Sequence, residues 1–247
     1  MKKPQIIKEA LRLIREHSKR FDITRIPFDD KKTFHLLQEA QTDGIFQLES
    51  SEMKDLLLKL RPTVFEDIIV LISLYRSGPK GSDMFKDFIS RKHAKSKMIY
   101  YHNLKKWLNP ILKDTYGIMV YQEQLLEITR RLAGFSIRQA ENLREAIIHW
   151  DDNRICYMKG LFLRGACKNG IDYWAAGVIF RKIEYWGDYC FFNMSRAVAL
   201  RNATFTYQSA YLKANYPLEY ARAMKKCKNI LVNMREEVKV NDNIEFI

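Results

Sequence analysis

The chain has 247 residues, 47% of them hydrophobic, enough to bury a sizeable core in one domain or two. Its 42 Lys and Arg against 29 Asp and Glu give a formal charge of +13, which favours anionic partners, nucleic acid first and an anionic membrane surface second. The longest apolar run, Ile68 to Leu74, falls far short of the roughly 20 residues a membrane-spanning helix needs, and the basic start lacks the apolar segment of a secretory signal. The four cysteines show no CxxC spacing, so they suggest neither a zinc knuckle nor a redox pair and read as core thiols of a cytoplasmic protein.

Helical periodicity dominates. Ile6, Ile7, Ala10, Leu11 and Ile14 put one apolar stripe on a first helix that should stop near Arg20. Asp29 and Asp30 stand just ahead of KKTFHLL, where carboxylates cap free backbone N–H groups and oppose the positive end of the helix dipole. Short strands are expected at Gly44 to Leu48 and Gly117 to Tyr121. The stretch Ser77 to Ser82 (SGPKGS) has turn chemistry. Ser136 with Gln139 makes a capping box, Gly170 ends a helix that starts near Arg154, and Pro217 opens the last helix.

The expected fold class is therefore mainly α with few short strands. Residues 1–227 form one helical unit, with a candidate boundary near 115. In the tail, 228–247, Val238, Val240, Ile244 and Phe246 read as an extended segment or an unfolded end.

The strongest local charge lies between Lys86 and Lys113. There Lys86, Arg91, Lys92, Lys95, Lys97, Lys105, Lys106 and Lys113 hold more than half of the net charge. Phe88, Tyr100, Tyr101 and Trp107 are interleaved with them. Two readings stand side by side: a single-strand-binding surface in which aromatics stack on bases and cations neutralise phosphates, or an exposed loop anchored to the core by its aromatics. The five histidines have no HExxH or other tight ligand spacing, so no metal site is expected, and no GxSxG nucleophile motif occurs.

Several stretches then point in one direction: IPFDDKKTF at Ile26 to Phe34, QTDGIFQLESSEMKDLL at Gln41 to Leu57, and KDTYGIMVYQEQ at Lys113 to Gln124. LAGFS at Leu132 to Ser136, FNMSRA at Phe192 to Ala197 and YLKANYPLEY at Tyr211 to Tyr220 continue the series. In content, order and spacing they resemble the fingers region of the polymerase III alpha subunit, a C-family bacterial replicative DNA polymerase. The resemblance implies a helical fingers-like domain, with DNA, single-stranded or primed, as partner.

In that family three palm aspartates hold two metal ions, and this sequence begins after their positions. Phosphoryl transfer needs such ions to bridge the attacking and leaving oxygens. The resemblance therefore implies no catalytic residue and no cofactor in this chain alone, with Mg entering only through a palm-bearing partner.

It also implies a remnant nucleotide-binding set: Arg76, Arg144, Asn193, Ser195 and Arg196. The family helix reading approximately Leu-Arg-Arg-Ala-Met-Gly-Lys-Lys stands here as Leu143 to Trp150, with Glu145, His149 and Trp150 in place of three cations. Losing two or three charge-assisted hydrogen bonds would weaken triphosphate binding by about a thousandfold. Phe-Asn-Lys-Ser-His-Ala stands as Phe192 to Ala197, with Met194 for lysine and Arg196 for histidine. Tyr-Arg-Pro-Gly-Pro keeps Tyr75, Arg76, Gly78 and Pro79 but has Ser77 for its first proline.

The leading expectation is a stand-alone fingers-like fragment that binds DNA or a replication component without catalysis, a pseudoenzyme. Alternatives are one chain of a split polymerase, a decoy that inhibits a replication partner, and a decayed fragment. A face that would otherwise meet a palm makes a homodimer a further expectation.

Overall fold

A computed structural model of the chain describes residues 3–75, 79–94, 104–189 and 195–242, and side chains within 5–75, 83–94, 104–185 and 195–229. Among the described residues twelve α-helices follow one another: α1 Lys3–His17, α2 Lys31–Gln38, α3 Ser51–Leu60, α4 Phe65–Leu74, α5 Pro79–Lys92 and α6 Lys105–Leu112 lead. Then come α7 Gln122–Ala133, α8 Ile137–Ile148, α9 Asp152–Lys168, α10 Tyr173–Tyr189, α11 Arg196–Asn215 and α12 Pro217–Asp242. Among the described residues there is no strand, and no helix is long and apolar enough to cross a membrane. The contacts divide the chain into one unit of residues 1–68 with 202–247 and a second of residues 69–201.

The local stop and start signals act as the sequence implies. Asp30 caps α2 by accepting from the Thr33 N–H at 2.9 Å. Burial opposes its ionisation, but hydrogen bonds from Thr33 and Asn215 outweigh that and hold its pKa below the usual carboxylate range. Ser136 and Gln139 close a capping box on α8. Gly170, at φ +76°, takes up the left-handed conformation just after α9. In α12 helical backbone continues to Asp242, so the segment after Lys228 is helical that far rather than extended.

In the first unit Ile7, Ala10 and Ile14 of α1 meet Leu212, Tyr220 and Ala223 of α11 and α12 in a closed apolar cluster. Two buried phenols tie down irregular backbone. Tyr207 donates to Pro27 C=O at 2.9 Å and accepts from Asp30 N–H at 3.0 Å, and Tyr220 donates to Gly44 C=O at 2.9 Å. Loss of hydration pushes each hydroxyl up to about 12.

The segment expected as a strand at Gly44 to Leu48 is a stapled turn. Gly44 and Gln47 have φ of +79° and +57°, which breaks an extended pleat. Its backbone groups are met by side chains: Glu49 accepts from Gly44 N–H, Thr42 Oγ1 donates to Leu48 C=O, and Thr206 Oγ1 donates to Phe46 C=O. Lys213 Nζ donates to Gln41 and Asp43 C=O, each at 2.8 Å. Desolvation lowers the pKa of this ammonium.

The second unit is a bundle of α6 to α10 around Leu108, Leu125, Leu132, Phe162, Ile179 and Phe180. Here α7 and α9 come unusually close. A Cβ on Gly165 would lie 2.1 Å from Ala133 O, a backbone atom that cannot swing away. Gly160, on the same helix, has only the far end of Arg164 within 3.5 Å.

Gly165→Ala should therefore cost about 1–3 kcal/mol by forcing the helices apart, whereas Gly160→Ala should stabilise by about 0.5–1 kcal/mol because alanine loses less backbone entropy in a helix. Urea unfolding followed by circular dichroism checks both. Equal effects of the two substitutions would contradict the close approach.

Candidate nucleic-acid interface

The site elements of the second unit converge on the turn between α6 and α7, the other segment expected as a strand. Tyr116 and Gly117, at φ +49° and +77°, turn the chain instead. Gln124 holds the turn from inside. Its Oε1 accepts from Val120 N–H at 2.7 Å and Tyr121 N–H at 2.9 Å, and its Nε2 donates to Thr115 Oγ1 at 3.0 Å and Ile111 C=O at 3.3 Å. Thr115 Oγ1 in turn donates to Ile118 C=O at 2.6 Å. The groups at this turn are buried, so no solvent replaces a missing partner.

Arg91, near the end of α5, reaches the turn and donates from Nη1 to Tyr116 C=O at 3.1 Å. This half-buried arginine fixes α5 to the turn as well as adding charge. Phe88 packs edge-on against Tyr116, with ring centroids 5.2 Å apart. From the far end of the unit, Arg196 N–H donates to the Glu123 carboxylate at 3.2 Å, and its guanidinium stands 5.6 Å from the Tyr121 ring centroid. The Glu123 carboxylate thus lies at the amino end of α11, where its charge opposes the helix dipole. Ser195 precedes that helix and accepts from Val198 N–H at 3.4 Å.

Of the other sequence-derived positions, Arg144 lies on α8 with Nε 2.6 Å from Glu141, one turn away. Glu145, His149 and Trp150 are exposed. Lys86 pairs with Asp83 at 3.0 Å, and Lys92 is half-buried at the end of α5. Lys105 and Lys106 are exposed in the first turn of α6, where the helix dipole disfavours cations, so their position does not serve helix stability. Lys106 Nζ stands 5.3 Å from the centroid of the half-buried Trp107 ring. Arg76, Lys95, Lys97, Tyr100, Tyr101 and Asn193 lie outside the described residues.

Lys105, Lys106 and Trp107 line one open cleft of about 720 Å³, whose other wall is the α9–α10 turn with Gly170, Ile171, Asp172 and Ala175. That wall comes from about sixty-five residues further along the chain, and no local pattern announces it. Lys182 of α10 is a second addition. Partial desolvation first, and then the Arg91 charge, lower its pKa, while Asp87 raises it. It lies outside the basic stretch by sequence but within electrostatic reach of Arg91. Among the described residues no group of three or more His, Cys, Asp or Glu is placed to hold a metal ion.

Fold and site together define an all-helical basic domain whose irregular turns are held by buried side chains. The chain belongs to the family of bacterial DNA polymerase III alpha subunit finger domains, which it matches over residues 3–170. DNA polymerase III subunit alpha of Pseudomonas aeruginosa is 41% identical over 226 residues, 89% of this chain and 19% of that protein. The subunit of Chlamydia trachomatis is 46% identical over 202 residues, 82% and 16% respectively. That of Escherichia coli K12 is 41% identical over 207 residues, 82% and 17%. The chain thus spans less than a fifth of the length of these curated relatives.

Gln124→Leu should leave the Val120 and Tyr121 N–H groups buried without an acceptor. The expected loss is at least about 2 kcal/mol, since each stranded donor costs about 1–3 kcal/mol. Denaturant titration measures it. A loss below about 0.5 kcal/mol would show that the turn holds itself.

Proposed function

We propose that this chain is a fingers-type module that binds single-stranded or primed DNA through its basic α5–α6 face and does not catalyse nucleotide addition by itself. The observation that carries the reading is the contrast between frame and cations. The turns built from GIFQLES and TYGIMVYQEQ are held by side chains such as Tyr220 and Gln124, whereas the positions on and just after α8 that the polymerase resemblance fills with cations hold Glu145, His149 and Trp150.

Arg144, the cation that remains there, is engaged by Glu141. A triphosphate would have to compete with that carboxylate and with the charge of Glu145. The exposed Lys86, Lys105, Lys106 and Lys113 are spread along the chain instead, as suits a polyanionic strand better than one compact triphosphate. The names of the relatives, each a DNA polymerase III subunit alpha, support DNA as the anion.

Fluorescence anisotropy with a labelled 20-nucleotide single strand tests the reading. Binding at 50 mM NaCl should weaken by at least about tenfold by 200 mM as counterions are released. The double variant Lys105→Glu, Lys106→Glu should lower both the affinity and the salt slope. No detectable binding at 50 mM salt would remove DNA from the proposal.

A further inference from the structure

We infer that the cleft between α6 and the α9–α10 turn is a seat for one unpaired nucleotide of a bound strand, with the base stacked on Trp107 and its phosphates held by Lys105 and Lys106. The inference rests on the DNA-binding reading above and adds the base to it. Three observations lead there.

The first is size. At about 720 Å³ the cleft lies within the range of small-ligand sites, roughly 300–1,000 Å³, and so has room for a nucleotide. The second is the division of its walls. The half-buried Trp107 ring offers apolar surface on which a flat, sparingly hydrated base gains by leaving water, with the buried Ile171 and Ala175 holding the opposite wall in the core, and the exposed ammonium groups of Lys105 and Lys106 lie at the same cleft.

The third is polarity. Asp172 is an acidic group on the α9–α10 side, where its carboxylate also accepts from Ala175 N–H at 2.9 Å. A phosphate is repelled from that side and drawn to α6. A base carries no charge, and its exocyclic amino groups suit the carboxylate. The cleft therefore orients a nucleotide, with phosphate on the α6 side and base edge toward Asp172. An inorganic anion would use only half of it.

Lys106 already occupies a position over the Trp107 ring, 5.3 Å from its centroid. Its flexible stem lets the ammonium follow a phosphate while the base takes the ring face, so one contact replaces another with no ordered group left unpaired.

The test compares two eight-nucleotide strands of equal charge, oligo(dC) and its abasic counterpart, by anisotropy at 50 mM NaCl. The intact strand should bind about tenfold more tightly, the scale of one stacked base. Trp107→Leu keeps an apolar group against the core and should abolish that preference while leaving the abasic affinity unchanged. Trp107→Phe should retain part of the preference, and both variants are checked for native melting. Lys105→Glu with Lys106→Glu should weaken both strands. Equal affinities for the two strands, or a preference that survives Trp107→Leu in a folded protein, would overturn the seat while leaving DNA binding intact. Failure of both strands to bind would instead overturn the reading on which it rests.

Discussion

The buried amide of Gln124 is the contact on which the second unit depends. One side chain satisfies two backbone donors with its oxygen and reaches a hydroxyl and a carbonyl with its nitrogen. An amide is suited to this task because it offers donor and acceptor on one rigid plane without a charge to bury. With the turn fixed in this way, Tyr116 presents its carbonyl to Arg91 and Tyr121 presents its ring to Arg196. The helices α5, α6, α7 and α11 thus acquire a common reference point through the nine residues between α6 and α7.

The first unit uses the same device with other side chains. Tyr220, Thr206 and Lys213 deliver donors to the carbonyls of Gln41, Asp43, Gly44 and Phe46. Such turns are demanding, since each buried carbonyl needs a donor aimed at it from a helix distant in sequence. They leave little tolerance for substitution, whereas exposed cations tolerate change at small cost to stability. GIFQLES and TYGIMVYQEQ, which carry the sequence resemblance, are such turns, whereas Glu145, His149 and Trp150 are exposed.

Local signals were the most legible part of the fold. Asp30, Ser136 with Gln139, Gly170 and Pro217 mark helix ends through interactions within a few residues, and the apolar stripe of the first helix is buried at Ile7, Ala10 and Ile14. The two expected strands failed for a physical reason. Short apolar runs next to glycine fit either a strand or a buried turn; long-range donors, Tyr220 and Thr206, decide for Gly44 to Leu48, and the side chains of Gln124 and Thr115 decide for Gly117 to Tyr121. Family membership was legible too, because the stapled turns are the segments that carry the motifs. The far wall of the cleft and Lys182 were not legible, since helix packing alone brings them near Lys106 and Arg91.

The proposed role is that of a fingers-type module that binds an extended DNA strand in preference to a compact triphosphate. Parallel equilibrium titrations with primed DNA and with a deoxynucleoside triphosphate plus magnesium, at 50 mM NaCl, test this most directly. The account predicts saturable binding of the DNA and none of the triphosphate at concentrations up to about the millimolar range. Tight triphosphate binding that is lost on Arg144→Ala, with DNA bound weakly or not at all, would contradict it.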